Sequence, residues 1–263
     1  MTPIPPEQHH TDFTREVYRR LLRNAILAWP VHLYPEIPAD GRILLWRHDC
    51  DYSMHAARSL ARIEQEEGLR ATYFLRMRSE MYNLMEADVM QCVHEIRRLG
   101  HALALHFDHP LTGITREDDM LPLLERDRRL LEQIVESPVE VFSFHNPAAF
   151  ALSCRKWTYG GLINTYAECF QSSIAYCSDS NGYWRHQRLP DVIETVRPPR
   201  LQVLTHPEWW TPEAMQPRQR IQRCLDGRAS RSAAFYDDQI ARDGRSISVE
   251  GATAATGSSG GAA

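Results

Sequence analysis

Short apolar runs alternate along this chain with longer stretches in which apolar residues recur every three or four positions. The first run, Ile43-Leu44-Leu45-Trp46, predicts a strand, and Ser53–Glu67 after it predicts a helix. A turn-like Glu-Gly-Leu-Arg then leads into Ala71–Leu75, a second strand. Ala87–Leu99 reads as a helix closed by Gly100, and Ala102–His106 as a third strand. The charged stretch Glu117–Glu136 predicts a long helix, followed by a fourth strand at Val139–Phe144. This β-α-β-α order predicts an α/β fold with mainly parallel strands.

Outside that stretch the pattern is less regular. Residues 1–10 read as a loose arm. Thr11 is placed to cap a helix running to about Ala28, with Phe13, Val17, Leu21 and Ala25 on one face and Pro30 and Pro35 beyond it. After Phe144, Ile174–Cys177 and Leu201–Thr205 read as short strands. Residues 178–200 read as loop, and 212–242 as polar and helical in part. Segment 251–263 contains only Gly, Ala, Ser and Thr and is expected to be a disordered tail. The expected organisation is an N-terminal arm and helix over 1–40, one α/β domain over 41–245, and that tail.

Composition narrows the classes. The chain has 263 residues, 43% apolar, with a net charge of −4. It has no basic run for nucleic acid and no apolar stretch approaching the ~18 residues of a membrane span. The first ten residues lack the basic and apolar regions of a secretory signal, so a cytoplasmic protein is expected. Six cysteines form no Cys-x-x-Cys pair and read as reduced, mostly buried thiols.

Polar residues that carry chemistry gather at the ends of the predicted strands. They are His48-Asp49-Cys50-Asp51, His106-Phe107-Asp108-His109, His145-Asn146-Pro147 and His206-Pro207-Glu208. In a parallel sheet or barrel these ends share one rim. Strand alternation places Asp49 and Asp51 on one side, with His48 and Cys50 facing away. Two such carboxylates repel unless a cation lies beside them. Carboxylate plus imidazole suits zinc, and also manganese, cobalt, nickel or iron. Such a site can activate water and polarise a carbonyl, with the second acid as base and His206 as proton donor. That is the plan of an amide or ester hydrolase.

The segments Arg47-His-Asp-Cys-Asp, Leu69-Arg-Ala-Thr-Tyr-Phe-Leu, Gly100-His-Ala-Leu-Ala-Leu-His-Phe-Asp and Phe142-Ser-Phe-His-Asn-Pro resemble the polysaccharide deacetylase family, carbohydrate esterase family 4. So do Ser178-Asp-Ser-Asn-Gly-Tyr-Trp-Arg and Leu204-Thr-His-Pro-Glu-Trp-Trp. They look most like its divergent branch from bacterial surface-polysaccharide loci, and the ordered set spans residues 42–212. The resemblance implies a distorted (β/α) barrel and metal-dependent removal of N-acetyl groups from sugars. Position by position, it makes Asp49 the general base, Asp51 the metal-binding acid, His106 the first metal histidine and His206 the general acid. Two positions depart from the family pattern. Cys50 separates acids that are usually adjacent, and His109 follows His106 by three residues rather than four. His109 and His145 are therefore alternative third ligands.

Around these, Arg47 shares the carboxylates' face and is placed to lower an acid's pKa or to grip substrate. Asp179 and Arg185 could orient the base or bind a sugar or phosphate, and Trp184, Trp209 and Trp210 could stack on sugar rings. For Asp179 and Arg185 the alternative is a loop salt bridge, and for the tryptophans core or rim packing. The expected partner is an N-acetylated sugar or sugar conjugate, nucleotide- or lipid-linked, in surface-polysaccharide (lipopolysaccharide) biosynthesis. Nucleic acid and membrane insertion are not expected. The expected cofactor is a divalent ion, zinc first. The competing readings are another C–N hydrolase on the same fold, such as a deformylase, and an inactive barrel that binds carbohydrate or an assembly partner.

Overall fold

The computed structural model describes residues 10–109 and 113–245. The expected tail over 251–263 and most of the expected N-terminal arm lie outside the described residues. The chain divides into two compact units, Met1–Ile221 and Gln222–Ala263. The first contains the sheet and the site. Among the described residues, no helix is long and apolar enough to cross a membrane.

The first unit is the distorted (β/α) barrel that the resemblance implied. Eight strands form one open sheet in the order β5-β6-β4-β3-β2-β1-β8-β7. They are β1 (Ile43–Cys50), β2 (Thr72–Arg76), β3 (Ala102–Phe107), β4 (Val141–Phe144), β5 (Thr158–Tyr159), β6 (Leu162–Asn164), β7 (Ala175–Ser178) and β8 (Arg200–Thr205). Every pairing is parallel except β5 with β6. That hairpin turns on Gly160 and Gly161, whose φ values of +56° and +79° place both in the left-handed region open to glycine.

Helices α1 (Arg15–Ala28), α2 (Met54–Glu67) and α3 (Ala87–Arg98) pack on the outer face together with the helix Glu117–Val135. Their starts follow from capping. Thr14, not Thr11, caps α1, its Oγ1 accepting the Val17 N–H at 3.2 Å; Thr11 lies in a 3-10 turn, His10–Phe13. Ser53 caps α2 by accepting the Ala56 N–H at 3.2 Å, and Gly68 ends it at φ +79°. The N-terminal helix is no appendage, because Tyr18, Leu21, Leu22 and Ala25 are buried in the main core. The polar stretch after residue 212 forms one helix, Pro217–Arg242.

Alternation along the strands sorts the interior. Leu44, Trp46 and Cys50 of β1 join the large core under the helices, with Tyr73, Leu75, Leu103, Leu105, Phe142, Leu201 and Val203. Ile43 and Leu45 join a smaller cluster on the opposite face, with Phe74, Ala104 and Val141. That concave face continues upward into polar groups at the strand ends, where the site forms.

Candidate metal centre

Strand parity assembles the site. Arg47 and Asp49 continue the face of Ile43 and Leu45, and Asp51 follows at the end of β1. His106 continues the face of Ala104 on β3, and its register partner on β4 is Ser143. His145 comes two residues after Ser143, its backbone N–H held 2.9 Å from the Phe107 carbonyl. His206 follows β8.

Three of these side chains converge. Asp51 Oδ1 lies 3.2 Å from His145 Nδ1 and 3.4 Å from His106 Nε2, and those two nitrogens are 3.3 Å apart. Four-coordinate zinc with bonds of about 2.0–2.1 Å would separate its ligand atoms by about 3.3–3.4 Å, so the triangle matches one face of such a tetrahedron. Asp51 Oδ1 is buried yet accepts no hydrogen bond of acceptable geometry. An uncommitted carboxylate oxygen facing two imidazole nitrogens fits a divalent cation. Asp51, His106 and His145 are the one such group among the described residues. The imidazoles are oriented from behind. Ser143 Oγ is 2.6 Å from His106 Nδ1, and the Asn146 side-chain amide is 2.9 Å from His145 Nε2. The Ser143 contact leaves His106 Nε2 free to ligate once Nδ1 carries the proton, whereas at His145 the Asn146 N–H donates to Nε2. Asp51 is largely buried, which disfavours its charge. The facing His106 and His145, with His206 behind them, outweigh this and hold it well below the usual carboxylate range.

Asp49 lies beside this triangle, its Oδ2 3.6 Å from His106 Nε2. It is clamped by Arg47, whose NH2 donates to both carboxylate oxygens at 2.8 and 2.7 Å while Nε donates at 3.2 Å. The Arg47 NH1 donates to Thr165 Oγ1 at 2.9 Å. Burial pushes Asp49 toward neutrality, but Arg47, followed by His106 and His206, lowers its pKa overall. Asp49 is therefore an ionised proton acceptor at neutral pH.

His206 closes the rim opposite. Its Nδ1 is 2.7 Å from Asp179 Oδ1, and its Nε2 is 3.8 Å from Asp51 Oδ2. Asp179 is fully buried and also accepts from the His206 backbone N–H at 3.0 and 3.1 Å and from the Trp210 indole at 3.1 Å. Burial works against the imidazolium. The Asp179 hydrogen bond and charge, then Asp51 and Glu208, reverse this and push His206 up to about 10. It is a proton donor at neutral pH. The side chains of Asp51, His145 and His206 retain 12–13% exposure while His106 retains 2%, so the rim is reached from the His145–His206 side.

The remaining candidates fall elsewhere. His109 does not join the triangle. Its Nε2 meets the Ile114 carbonyl at 2.8 Å, and its ring stacks on Phe150. An offset of three from an inward residue reverses the face, and His109 accordingly lies against Phe144 of the outer core. Trp184 is no sugar platform, being buried, stacked on Phe13 at 4.9 Å and donating to Asp12 at 3.0 Å. Trp209 and Trp210 are buried as well. Arg185 is exposed on the loop after Trp184. Asp179 bonds the His206 ring. His48 and Cys50 point away from the rim, Cys50 into the core. Ser143 and Thr165 were not singled out from the sequence. For Ser143 a signal existed in its even spacing from His145 on one strand face.

No family model and no curated protein matches this chain. Solved structures do. The Xyl-CE4 domain of a multidomain xylanase from the hindgut metagenome of Trinervitermes trinervoides is similar at 13% identity and a TM-score of 0.43, over 73% of this chain and 85% of that one. A family 4 carbohydrate esterase from Streptomyces lividans, solved with acetate, is similar at 17% identity and a TM-score of 0.40, over 73% of this chain and 91% of that one. A CE4 family pseudoenzyme from Bacillus anthracis is similar at 13% identity and a TM-score of 0.40; 72% of this chain is covered, which spans 63% of that neighbour. Carbohydrate esterase family 4 is also the family that the strand-end motifs resemble.

Proposed function

We propose that this protein is a metal-dependent hydrolase that removes an N-acetyl group from a sugar or sugar conjugate. One observation carries the reading. The triangle of Asp51, His106 and His145, with edges of 3.2, 3.3 and 3.4 Å, sits between an ionised acid and a protonated imidazole. Asp51, His106 and His145 would hold a divalent ion, zinc being the one we favour, and it would supply a Lewis acid for the acyl oxygen and lower the pKa of water. Asp49 accepts the proton of the attacking water, and Arg47 keeps it ionised and aimed. The water oxygen bonds to the acyl carbon, the C–N bond breaks, and His206 gives its Nε2 proton to the departing amine. The products are acetate and the free amino sugar. Asp179 holds the His206 ring so that Nε2 faces the reacting atoms.

A cytoplasmic precursor of a surface polysaccharide, nucleotide- or lipid-linked, is the substrate class we favour, and six free cysteines suit a reducing compartment. The test is acetate release from a panel of N-acetylated sugar nucleotides and lipid-linked sugars by zinc-loaded protein. Release that is lost in Asp49→Asn while metal is retained supports the reading. Formate or ring-opened product from acylated analogues, with no acetate, would replace it with another C–N hydrolase.

A further inference from the structure

Behind the site, on the opposite face of the sheet, lies a second buried histidine–carboxylate pair that the reaction does not use. We infer that His48, locked between Thr205 and Glu64, is a positioning residue that sets the spacing between Asp49 and His206. The inference rests on the reading of those two residues as base and acid.

The geometry is specific. His48 Nδ1 is 2.7 Å from Thr205 Oγ1, and Nε2 is 2.5 Å from Glu64 Oε1, so both ring nitrogens are committed. All three side chains are completely buried. His48 and Thr205 are the last register partners of β1 and β8. The next residue along the chain is Asp49, still on β1, in one case and His206, just past β8, in the other. The side-chain bond therefore closes the final rung of the ladder, where backbone pairing between these strands stops and the two functional groups begin. Glu64 on α2 is itself fixed from two further elements. The Tyr73 hydroxyl donates to Oε2 at 2.7 Å from β2, and the Tyr18 hydroxyl donates to Oε1 from α1. Tyr18 in turn accepts from the Trp46 indole at 2.9 Å.

Such a cluster is a poor way to fill a core. Apolar side chains of similar volume would serve as well or better, because a buried carboxylate and its polar partners seldom recover their desolvation. Its placement one residue behind both Asp49 and His206 supplies the reason for it. The cluster makes the β1–β8 spacing discrete, and catalysis is sensitive to displacements of about 1 Å.

Thr205→Val tests this by removing the hydroxyl at constant shape, with Thr205→Ser retaining it and Thr205→Ala as a second deletion should valine not fold. In the full chain, the deletion should lower kcat about 10-fold, as loss of outer-shell partners does. KM and metal stoichiometry should stay unchanged, and serine should restore kcat. In metal-free protein, exchange of the His206 Nδ1 proton bonded to Asp179, followed by NMR, should accelerate in the deletion variants and recover in Thr205→Ser. Wild-type kcat and exchange in both deletions would overturn the inference, as would equal losses in Thr205→Ser. The exchange readout does not need turnover. A wild type that hydrolyses no N-acetyl substrate would refute the proposed function, while the exchange comparison would still decide the positioning.

Discussion

Replacing Arg47 by methionine exposes how the candidate base is maintained. The two side chains are 1% and 5% exposed, and Asp49 accepts three N–H bonds from Arg47 at 2.7–3.2 Å. Methionine preserves much of the packing against Phe74, over which the guanidinium lies at 4.7 Å, but leaves a buried carboxylate without its counter-charge. Removing one partner of a buried pair costs about 3–5 kcal/mol. At roughly 2–4 °C per kcal/mol for a domain of this size, the melting temperature should fall by roughly 6–20 °C. The sign with pH follows from the lowered pKa of Asp49. Its contribution to stability is present above the ordinary carboxylate range and is lost as pH falls through the folded value. In Arg47→Met the largest influence opposing burial is gone and only His106 and His206 still oppose it, so the carboxyl moves up, and the acid limb of kcat/KM moves to higher pH with it. The double variant Arg47→Met/Asp49→Asn removes the stranded charge and should regain much of the lost stability, although it stays inactive. Thermal melts of metal-free protein and a pH–rate profile of loaded enzyme read both effects. A single variant that melts with the wild type and keeps its acid limb would refute the argument.

Three further outcomes follow from other contacts. Asp179→Asn removes the main support of the His206 imidazolium, so the alkaline limb of the rate profile should move to lower pH; an unmoved limb would exclude His206 as the acid. Glu64 is held down to about 2 despite burial, by His48, then His101 and Tyr18, so it stabilises the fold above about pH 4.5 and that stability is lost as pH falls toward 2. Denaturant melts of Glu64→Gln should be lower at neutral pH and flatter across that acid window, and an unchanged slope would contradict the assignment. His145→Ala should lose stoichiometric metal by elemental analysis whereas His109→Phe keeps it, and the reverse pattern would move the third ligand to His109.

Much of this arrangement was legible in the chain because strands alternate. The run Ile43 to Asp51 predicts which side chains face the rim, and the structure places Arg47 and Asp49 on one face and Cys50 in the core on the other. The resemblance reached the barrel, since its motifs are strand ends in order. The third ligand stayed open because parity fades where a strand ends. His109 reverses face after Phe107, whereas His145 keeps the face of Ser143, and spacing within either motif alone does not distinguish them. Trp184 stayed open between sugar platform and core packing because an aromatic in a polar loop carries no sign of its partners; Asp12 and Phe13, distant in sequence, hold it inside. The hairpin Thr158–Asn164 went unread because its strands have only two and three residues. The helix Pro217–Arg242 was half-read because its polar sequence buries little; Arg220 is its one fully buried side chain among the described residues.

The central claim is a metal ion at the triangle. X-ray absorption at the metal edge, on protein loaded with zinc and dialysed, tests it most directly. The account predicts one ion per chain with two imidazole nitrogens and one carboxylate oxygen in its coordination shell, lost on Asp51→Ala or His106→Ala. A protein that takes up no ion, or an ion whose shell survives both substitutions, would contradict it.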